Sequence, residues 1–162
     1  MPRHRVRVQQ GFTLIELLVV MAIVGVLATV VFLSLLRARN RQQLQEGARQ
    51  LATDLSRARA QAQLSSQSSV VALVSSNANR YTTQWRGAAA ITRTLPYNLT
   101  VAAMSSATTA AGSTSLTYTA PYGTLDVDGV VWRVTSPALN ESLFVKAVGV
   151  TGKVLVTSSY DD

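Results

Sequence analysis

One carboxylate stands alone near the start of a long uncharged segment of this sequence. Glu16 is the only charged residue between Phe12 and Leu36. An ionised carboxylate at the centre of a lipid-facing helix costs about 2.5–3.5 kcal/mol on insertion scales, and it costs less near an end that reaches the membrane interface. Glu16 is therefore awkward in an isolated membrane anchor.

The other candidate residues do not form a catalytic or metal-binding motif. The sequence has no cysteine, and its single histidine, His4, precedes the apolar segment. The rest of the chain thus lacks the usual acid–base and nucleophilic groups. Asp126 and Asp128 lie two residues apart before Gly129, but calcium needs six or more oxygen ligands and no matching Glu follows. We expect no enzyme activity, no cofactor and no metal, and we expect these two aspartates at a solvated hairpin edge.

Basic and aromatic residues are interspersed in the second half of the chain. Cationic grooves with aromatic faces can hold single-stranded nucleic acid, and basic stripes can hold duplex phosphates. Without residues 1–11, however, only 12 basic and 8 acidic residues remain, which is a mild excess. Ordinary surface charges and core aromatics are therefore the favoured interpretation of these residues: Arg80, Arg86, Arg93, Arg133, Lys146 and Lys153, with Tyr81, Trp85, Tyr97 and Trp132.

The apolar segment has the length of a membrane-spanning helix. At about 1.5 Å per residue, a helix over Phe12–Leu36 extends roughly 37 Å, which exceeds a bilayer core of about 30 Å. The segment is too long for the apolar region of a secretory signal, and no small-residue cleavage site follows it before Arg37. We expect a single-pass anchor. Three arginines lie on each side of it, so the positive-inside rule does not settle its orientation.

A second helical pattern follows the apolar segment without an intervening proline. Its apolar residues recur at spacings of three and four, which is one face of an amphipathic helix, whereas Asp54 falls outside this stripe. The pattern predicts one helix over residues 13–64, whose second half packs against a sheet; a short coiled coil is the competing interpretation. The stripe consists of Leu44, Ala48, Leu51, Leu55, Ala58 and Ala62.

From Val70 onward, short β-type runs alternate with turn signals. Asp128-Gly129 and, more weakly, Thr151-Gly152 predict hairpins. The expected fold is α+β, with a long N-terminal helix against a C-terminal antiparallel β-sheet domain. The expected segments are a membrane half at residues 12–36, a soluble helical half at 37–64 and a β-rich head at 65–162.

The stretch "RVQQGFTLIELLVVMAIVGVLA" resembles the leader junction of type IV pilins and of the pseudopilins of type II secretion. The family pattern is a short basic leader, a glycine, a phenylalanine and then T-L-I-E-L, which Gly11 to Leu17 match. The resemblance implies that prepilin peptidase removes residues 1–11 by cutting between Gly11 and Phe12, and that it methylates the new amine of Phe12. It also implies that Glu16 pairs with the Phe12 amine of a neighbouring filament subunit. Such a pair at ~4 Å attracts by about 4 kcal/mol at an effective dielectric constant of about 20, before the cost of desolvation is subtracted.

The second half resembles the H-type minor pseudopilins and the FimT-like minor pilins. The resemblance rests on "LATDLSRARAQA" running into "SSVVALV" and on the closing "GVTGKVLV". It implies a minor structural subunit, anchored in the inner membrane with a periplasmic head and then built into a type II secretion pseudopilus or a type IV pilus. The implied partners are prepilin peptidase, other subunits, the inner-membrane assembly platform and membrane lipid.

A DNA-binding role in natural transformation is the alternative that this resemblance leaves open. FimT-like DNA receptors carry a basic G-R-x-R motif near the C-terminus, and Gly152, Lys153, Val154 and Leu155 align with it. One basic residue is kept and the second is replaced by leucine. If the head binds DNA, Lys153 is the expected contact by resemblance, and Arg133 is the next candidate by composition.

Overall fold

The computed structural model describes residues 12–75, 77–85, 87–106 and 112–161. It divides the chain into two units between Ala38 and Arg39. The first unit is helical from Leu14 onward, and each of its described residues is exposed. Helix α1, Leu14–Ser65, is the one helix of the described chain that is long and apolar enough to cross a membrane. The long helix predicted over residues 13–64 is confirmed.

The second unit places the rest of α1 beside two antiparallel sheets. A five-stranded sheet has the order β3-β2-β1-β5-β6, and a four-stranded sheet has the order β4-β7-β8-β9. The strands are β1 Ser69–Leu73, β2 Arg80–Gln84, β3 Ile91–Thr94, β4 Thr100–Met104, β5 Ser115–Thr119, β6 Thr124–Leu125, β7 Gly129–Thr135, β8 Ser142–Val148 and β9 Lys153–Thr157. A short 3-10 turn at Pro96–Asn98 precedes β4. The α+β class with antiparallel pairing is confirmed.

The apolar stripe of α1 and the inner faces of both sheets form one core. All six residues of the predicted stripe are buried in it, together with Tyr81 and Tyr118 of the first sheet and Trp132 of the second. Strands β1, β2 and β7 alternate between buried and more exposed residues, as expected of strands with one face on a core. Gly47 lies against Leu99, and a Cβ at this position would overlap the leucine side chain.

Two of the turn predictions have different outcomes. Thr151-Gly152 does join a paired hairpin, since β8 and β9 are neighbours with Val148 opposite Lys153. The hairpin predicted at Asp128-Gly129 is wrong, because β6 pairs with β5 in the first sheet whereas β7 pairs with β4 and β8 in the second. Gly129 has φ 133°, and a Cβ here would lie 2.6 Å from the carbonyl oxygen of Ala147. This glycine therefore serves a crossing between sheets rather than a tight turn.

Candidate functional site

Glu16 lies in the first turn of α1. The hydroxyl of Thr13 accepts a hydrogen bond from the backbone N–H of Glu16 at 3.3 Å, and the Thr13 carbonyl accepts one from Leu17 at 3.2 Å. Thr13 is thus the N-cap of the helix, and Glu16 is its third residue, which is the spacing of the capping box T-x-x-E. A carboxylate here also lies near the positive end of the helix dipole. The structure therefore gives Glu16 a local role in helix initiation that was not recognised from the sequence.

The residues on either side of Glu16 present an apolar surface, and every described residue of the first unit is exposed. Phe12 is 82% exposed, and the side chains of Leu14 and Ile15 are similarly bare. An apolar surface of this extent needs lipid or other protein chains around it. Gly11, the other residue of the expected cleavage site, lies outside the described residues.

A buried carboxylate on the opposite half of α1 organises a polar cluster. Asp54 is only 1% exposed. The Tyr81 hydroxyl donates to its Oδ2 at 2.6 Å, while Arg57 Nη1 lies 3.5 Å from Oδ1 and Arg93 Nε lies 3.4 Å from Oδ2. A buried charge is tolerated only with such partners. The expectation that Asp54 falls outside the buried stripe is wrong, because Asp54 follows Leu51 by three residues and so lies on the same helical face.

Tyr81 connects this cluster to the first sheet. Burial, and secondarily the hydrogen bond to Asp54, raise the pKa of Tyr81 well above its ordinary value. The phenol thus keeps the proton that it donates to the carboxylate. Gln50 Nε2 lies 3.4 Å from both the Tyr81 hydroxyl and the carbonyl of Thr94, which links the helix to β2 and β3.

A groove opens beside this cluster, between α1 and strands β2 and β3. It has a volume of about 460 Å³ and is lined by Arg57, Gln61, Trp85 and Arg93. We call it the arginine groove. Two guanidinium groups beside an indole suit a negatively charged ligand. The sequence presents Arg93 and Trp85 as separate candidate binding residues. Arg57, one helical turn after the buried Asp54, lines the same groove and could have indicated that they belong together.

The two candidate DNA contacts share one face of the second sheet. Lys153 begins β9 and is exposed, whereas Arg133 on β7 is half-buried, and its Nε has no hydrogen-bond partner in the described structure. Lys153 lies opposite Val148 of β8, and Arg133 lies opposite Phe144, four residues along the same strand. At about 3.3 Å per residue and about 4.8 Å per strand, the two α-carbons are roughly 16 Å apart. The structure does not bring them together as one phosphate clamp.

The turn between β8 and β9 requires a glycine at position 152, the first residue of the aligned G-K-V-L stretch. Its φ is 63°, and a Cβ here would meet the Tyr118 ring at 2.6 Å. Its N–H donates to the carbonyl of Gly149 at 3.0 Å, which closes the turn between β8 and β9. The tight turn therefore explains this glycine without a ligand.

Lys146 is not the surface charge that the sequence suggested. It is only 3% exposed, and its Nζ donates to the carbonyl of Tyr160 at 2.6 Å. Phe144 meets Tyr160 edge-to-face, with ring centroids 6.1 Å apart. The C-terminal segment thus covers part of the outer face of the second sheet, and Lys146 fastens it there.

The aspartate pair shows no metal-binding arrangement. Among the described residues, no group of three or more His, Asp or Glu side chains is placed to hold an ion. Asp126 Oδ1 instead accepts the N–H of Thr117 at 3.3 Å, and both aspartates are exposed.

A family model matches the N-terminal part of this chain, whereas solved structures are similar to it over most of its length. The family model described as "Prokaryotic N-terminal methylation motif" matches residues 6–32. No curated protein matches the chain. Among solved structures, the type IV minor pilin FimU of Pseudomonas aeruginosa PAO1 is similar in two crystal forms.

The FimU likeness concerns the fold. In space group P21 it has 17% identity and a TM-score of 0.55 over 72% of this chain and 89% of FimU. In space group P65 the values are 16% and 0.54, over 70% and 91% of the two chains. The comparisons thus show a methylation motif at residues 6–32 and, at identities this low, a likeness to FimU in fold alone.

Proposed function

We propose that this chain is a minor pilin-like structural subunit that is cut between Gly11 and Phe12, methylated on Phe12 and built into a type II secretion pseudopilus or a type IV pilus. The observation that carries the proposal is the first half of α1. The matched motif covers most of it, and its described residues are all exposed through Ala38. Lipid covers this surface before assembly, and the helices of other subunits cover it afterwards.

Glu16 acts at the step between these two environments. Cleavage creates a positive amine at Phe12, and Glu16 lies one helical turn away from it within the same chain. In a stack of helices, the amine of one subunit pairs with Glu16 of the next, so a misplaced subunit leaves an uncompensated charge. Prepilin peptidase, the assembly platform and other subunits are the partners that this route requires.

Processing is the direct test of this proposal. In cells with a working prepilin peptidase, the N-terminal peptide should begin at a methylated Phe12, and in cells without the enzyme it should begin at or near Met1. Gly11→Val should block cleavage, because a branched side chain hinders the extended backbone at the scissile bond. Gln10→Ala is the matched control and should be cut normally. Intact residues 1–11 in peptidase-positive cells would refute the proposal.

A DNA-receiving head is the second candidate, favoured by an exposed Lys153 that could contact a phosphate independently of the more distant Arg133 on the same sheet face. Such contacts would reach phosphates and would be independent of sequence. Binding should weaken with salt at about 0.9 log units per log unit for each phosphate neutralised.

The test is a mobility-shift titration at two salt concentrations. Lys153→Ala should weaken binding alike for unrelated sequences and make the salt slope shallower by about one. Arg80→Ala, which removes an exposed arginine from the other sheet, is the control and should change little. Absence of binding by the unaltered protein at low salt would end this candidate.

A further inference from the structure

The five-stranded sheet carries opposite charges at its two edges. Strand β3 forms one edge, and Arg93 of β3 lines the arginine groove. Strand β6 forms the other edge, and the exposed segment Asp126–Asp128 follows it directly. We call this segment the acidic loop. The assembly route described above uses neither surface.

The arginine groove has an unmet capacity for anions. Arg57 and Arg93 share a single carboxylate, that of Asp54, which also accepts the Tyr81 hydroxyl. A guanidinium group has five N–H donors, so one distant carboxylate cannot satisfy both arginines. The Asp54 carboxylate lies within 3.5 Å of both arginines, so the pair of guanidinium groups leaves one excess positive charge beside Trp85.

The acidic loop has the complementary chemistry. Asp126 uses one carboxylate oxygen for the N–H of Thr117. The Asp128 carboxylate makes no hydrogen bond or ion pair within the described part of the chain. Val127 between them is 37% exposed. The loop thus offers two carboxylates around an apolar side chain, whereas the groove offers two guanidinium groups around an indole.

Arg93 of the groove and the acidic loop lie at opposite edges of the sheet, too far apart to meet within one molecule. Strands β2, β1 and β5 lie between the two edge strands. Four strand spacings of about 4.8 Å separate the edges by roughly 19 Å. Contact between them therefore requires two copies. Where each copy uses its groove for one neighbour and its loop for another, the contact is heterologous and repeats from copy to copy along a row of subunits.

We propose that the acidic loop of one copy binds the arginine groove of a second copy and sets neighbouring heads side by side. The contact rests on the proposed function, in which subunits stand next to one another, and it adds a head-to-head interaction to the helix-mediated one. Exposed ion pairs are individually weak. Anchoring in a shared membrane raises the effective concentration of the heads, so a weak contact becomes populated there.

Disulfide crosslinking of the full chain in lipid vesicles tests this contact. Because the chain has no native cysteine, engineered cysteines report only the chosen positions. Two differently tagged populations are mixed, one with Gln61→Cys in the groove and one with Val127→Cys in the loop. The control pair combines Gln61→Cys with Ala138→Cys, an exposed position in the loop between β7 and β8 of the other sheet. The groove–loop pair should crosslink at least about fivefold more than the control pair, since anchored heads favour the complementary contact.

Charge reversal shows whether the contact is the proposed one. Adding Asp128→Lys to the loop population should lower the crosslink about fivefold, and adding Arg57→Glu to the groove population should restore it. Asp128 is exposed, so its reversal leaves the fold intact even if Arg57→Glu does not. A yield equal to the control, or one that Asp128→Lys leaves unchanged, overturns the proposal.

Competing occupants give distinct outcomes. If a short acidic peptide of unrelated sequence or a single-stranded oligonucleotide binds through Arg57 while copies fail to crosslink, the groove serves another ligand, and contact between copies is overturned. The vesicle experiment needs neither leader cleavage nor a filament. Its failure in a chain that is normally processed therefore removes the head contact alone.

Discussion

Two carboxylates of this chain lie where an unpaired charge is energetically costly, and each is stabilised by different groups. Asp54 is buried in the head and has arginine and tyrosine partners within the same chain. Glu16 lies on an exposed apolar helix, where the described part of its own chain offers only the helix N-terminus. At the scale of single residues, changes to the Asp54 cluster should therefore affect the stability of the fold, whereas changes to Glu16 should affect assembly.

Replacing Glu16 separates membrane insertion from assembly. Glu16→Ala should still insert, because removal of a charge from lipid is favourable. It should be depleted in filaments, because the Phe12 amine of the neighbouring subunit loses its partner. Quantifying the subunit in sheared filaments checks this.

Thr13→Ala is the control, because it weakens the N-cap by about 1 kcal/mol but keeps the Glu16 carboxylate. If both variants are lost equally, helix capping explains the effect. Normal incorporation of Glu16→Ala would refute the pairing role.

Tyr81→Phe removes the shortest hydrogen bond to the buried Asp54. We expect the free energy of unfolding to fall by about 1.5–3 kcal/mol, because the bond reaches a charged acceptor that water cannot replace. Denaturant unfolding of the full chain in detergent measures this change. Tyr122→Phe is the control at a 76% exposed tyrosine and should stay within about 0.5 kcal/mol of the parent protein. Equal effects of the two variants would contradict the assigned role of Tyr81.

At the scale of elements, helix α1 is joined to each sheet by a different kind of contact. Asp54 and Gln50 link it to the first sheet through polar bonds. On the side of the second sheet, Arg41 binds Glu141 of the β7–β8 loop, with Nη2 2.6 Å from Oε1 and Nε 3.0 Å from Oε2. The two residues of this bidentate ion pair are 100 positions apart in the sequence, so no local sequence pattern predicts it.

The Arg41–Glu141 pair predicts a specific pH dependence. The hydrogen bond from Arg41 holds the pKa of Glu141 below its ordinary value of 4.5, and the charge of Arg41 acts in the same direction. Because the folded pKa is lowered, the stabilisation is present above the unfolded pKa and is lost as the pH falls through the folded pKa. Unfolding temperatures measured from about pH 7 to about pH 3 should therefore converge for the parent and for Glu141→Gln at the acidic end.

Both groups of this pair are exposed, so the effect should be small and should shrink in high salt. Glu46→Gln is a suitable control, since it removes a carboxylate on the same helix that instead accepts a hydrogen bond from Tyr97. A constant difference between the parent and Glu141→Gln at every pH would contradict the ion-pair explanation.

At the scale of the whole molecule, the chain combines one unit with an apolar surface and one with its own core. The core of the second unit draws on α1 and on both sheets. We therefore expect a protein beginning near Arg37 to be soluble without detergent and to show a mixed helix and strand signal in circular dichroism. One that begins at Phe12 is the matched comparison and should require detergent. A purely helical spectrum, or aggregation of the shorter protein, would show that the division is misplaced.

The sequence alone determined the features that depend on near neighbours in the chain. Apolar spacing from Leu44 to Ala62 predicted a buried helical face, and the stretch around Glu16 predicted the N-terminal methylation motif that the family model matches. Strand runs such as "SLTYT" and the Thr151-Gly152 turn were also correctly predicted, because alternation and turn chemistry are local.

Tertiary structure decided what depends on distant partners. Asp54 can be buried because Tyr81 of β2 and Arg93 of β3 pair with its carboxylate, and the spacing of residues in the helix does not predict these partners. Asp128-Gly129 resembled a hairpin, but pairing of β7 with β4 and β8 drew the chain into a second sheet. Long-range pairing and burial outweigh local propensity there, since a seven-residue strand with two neighbours satisfies more backbone groups than the two residues of β6 could offer.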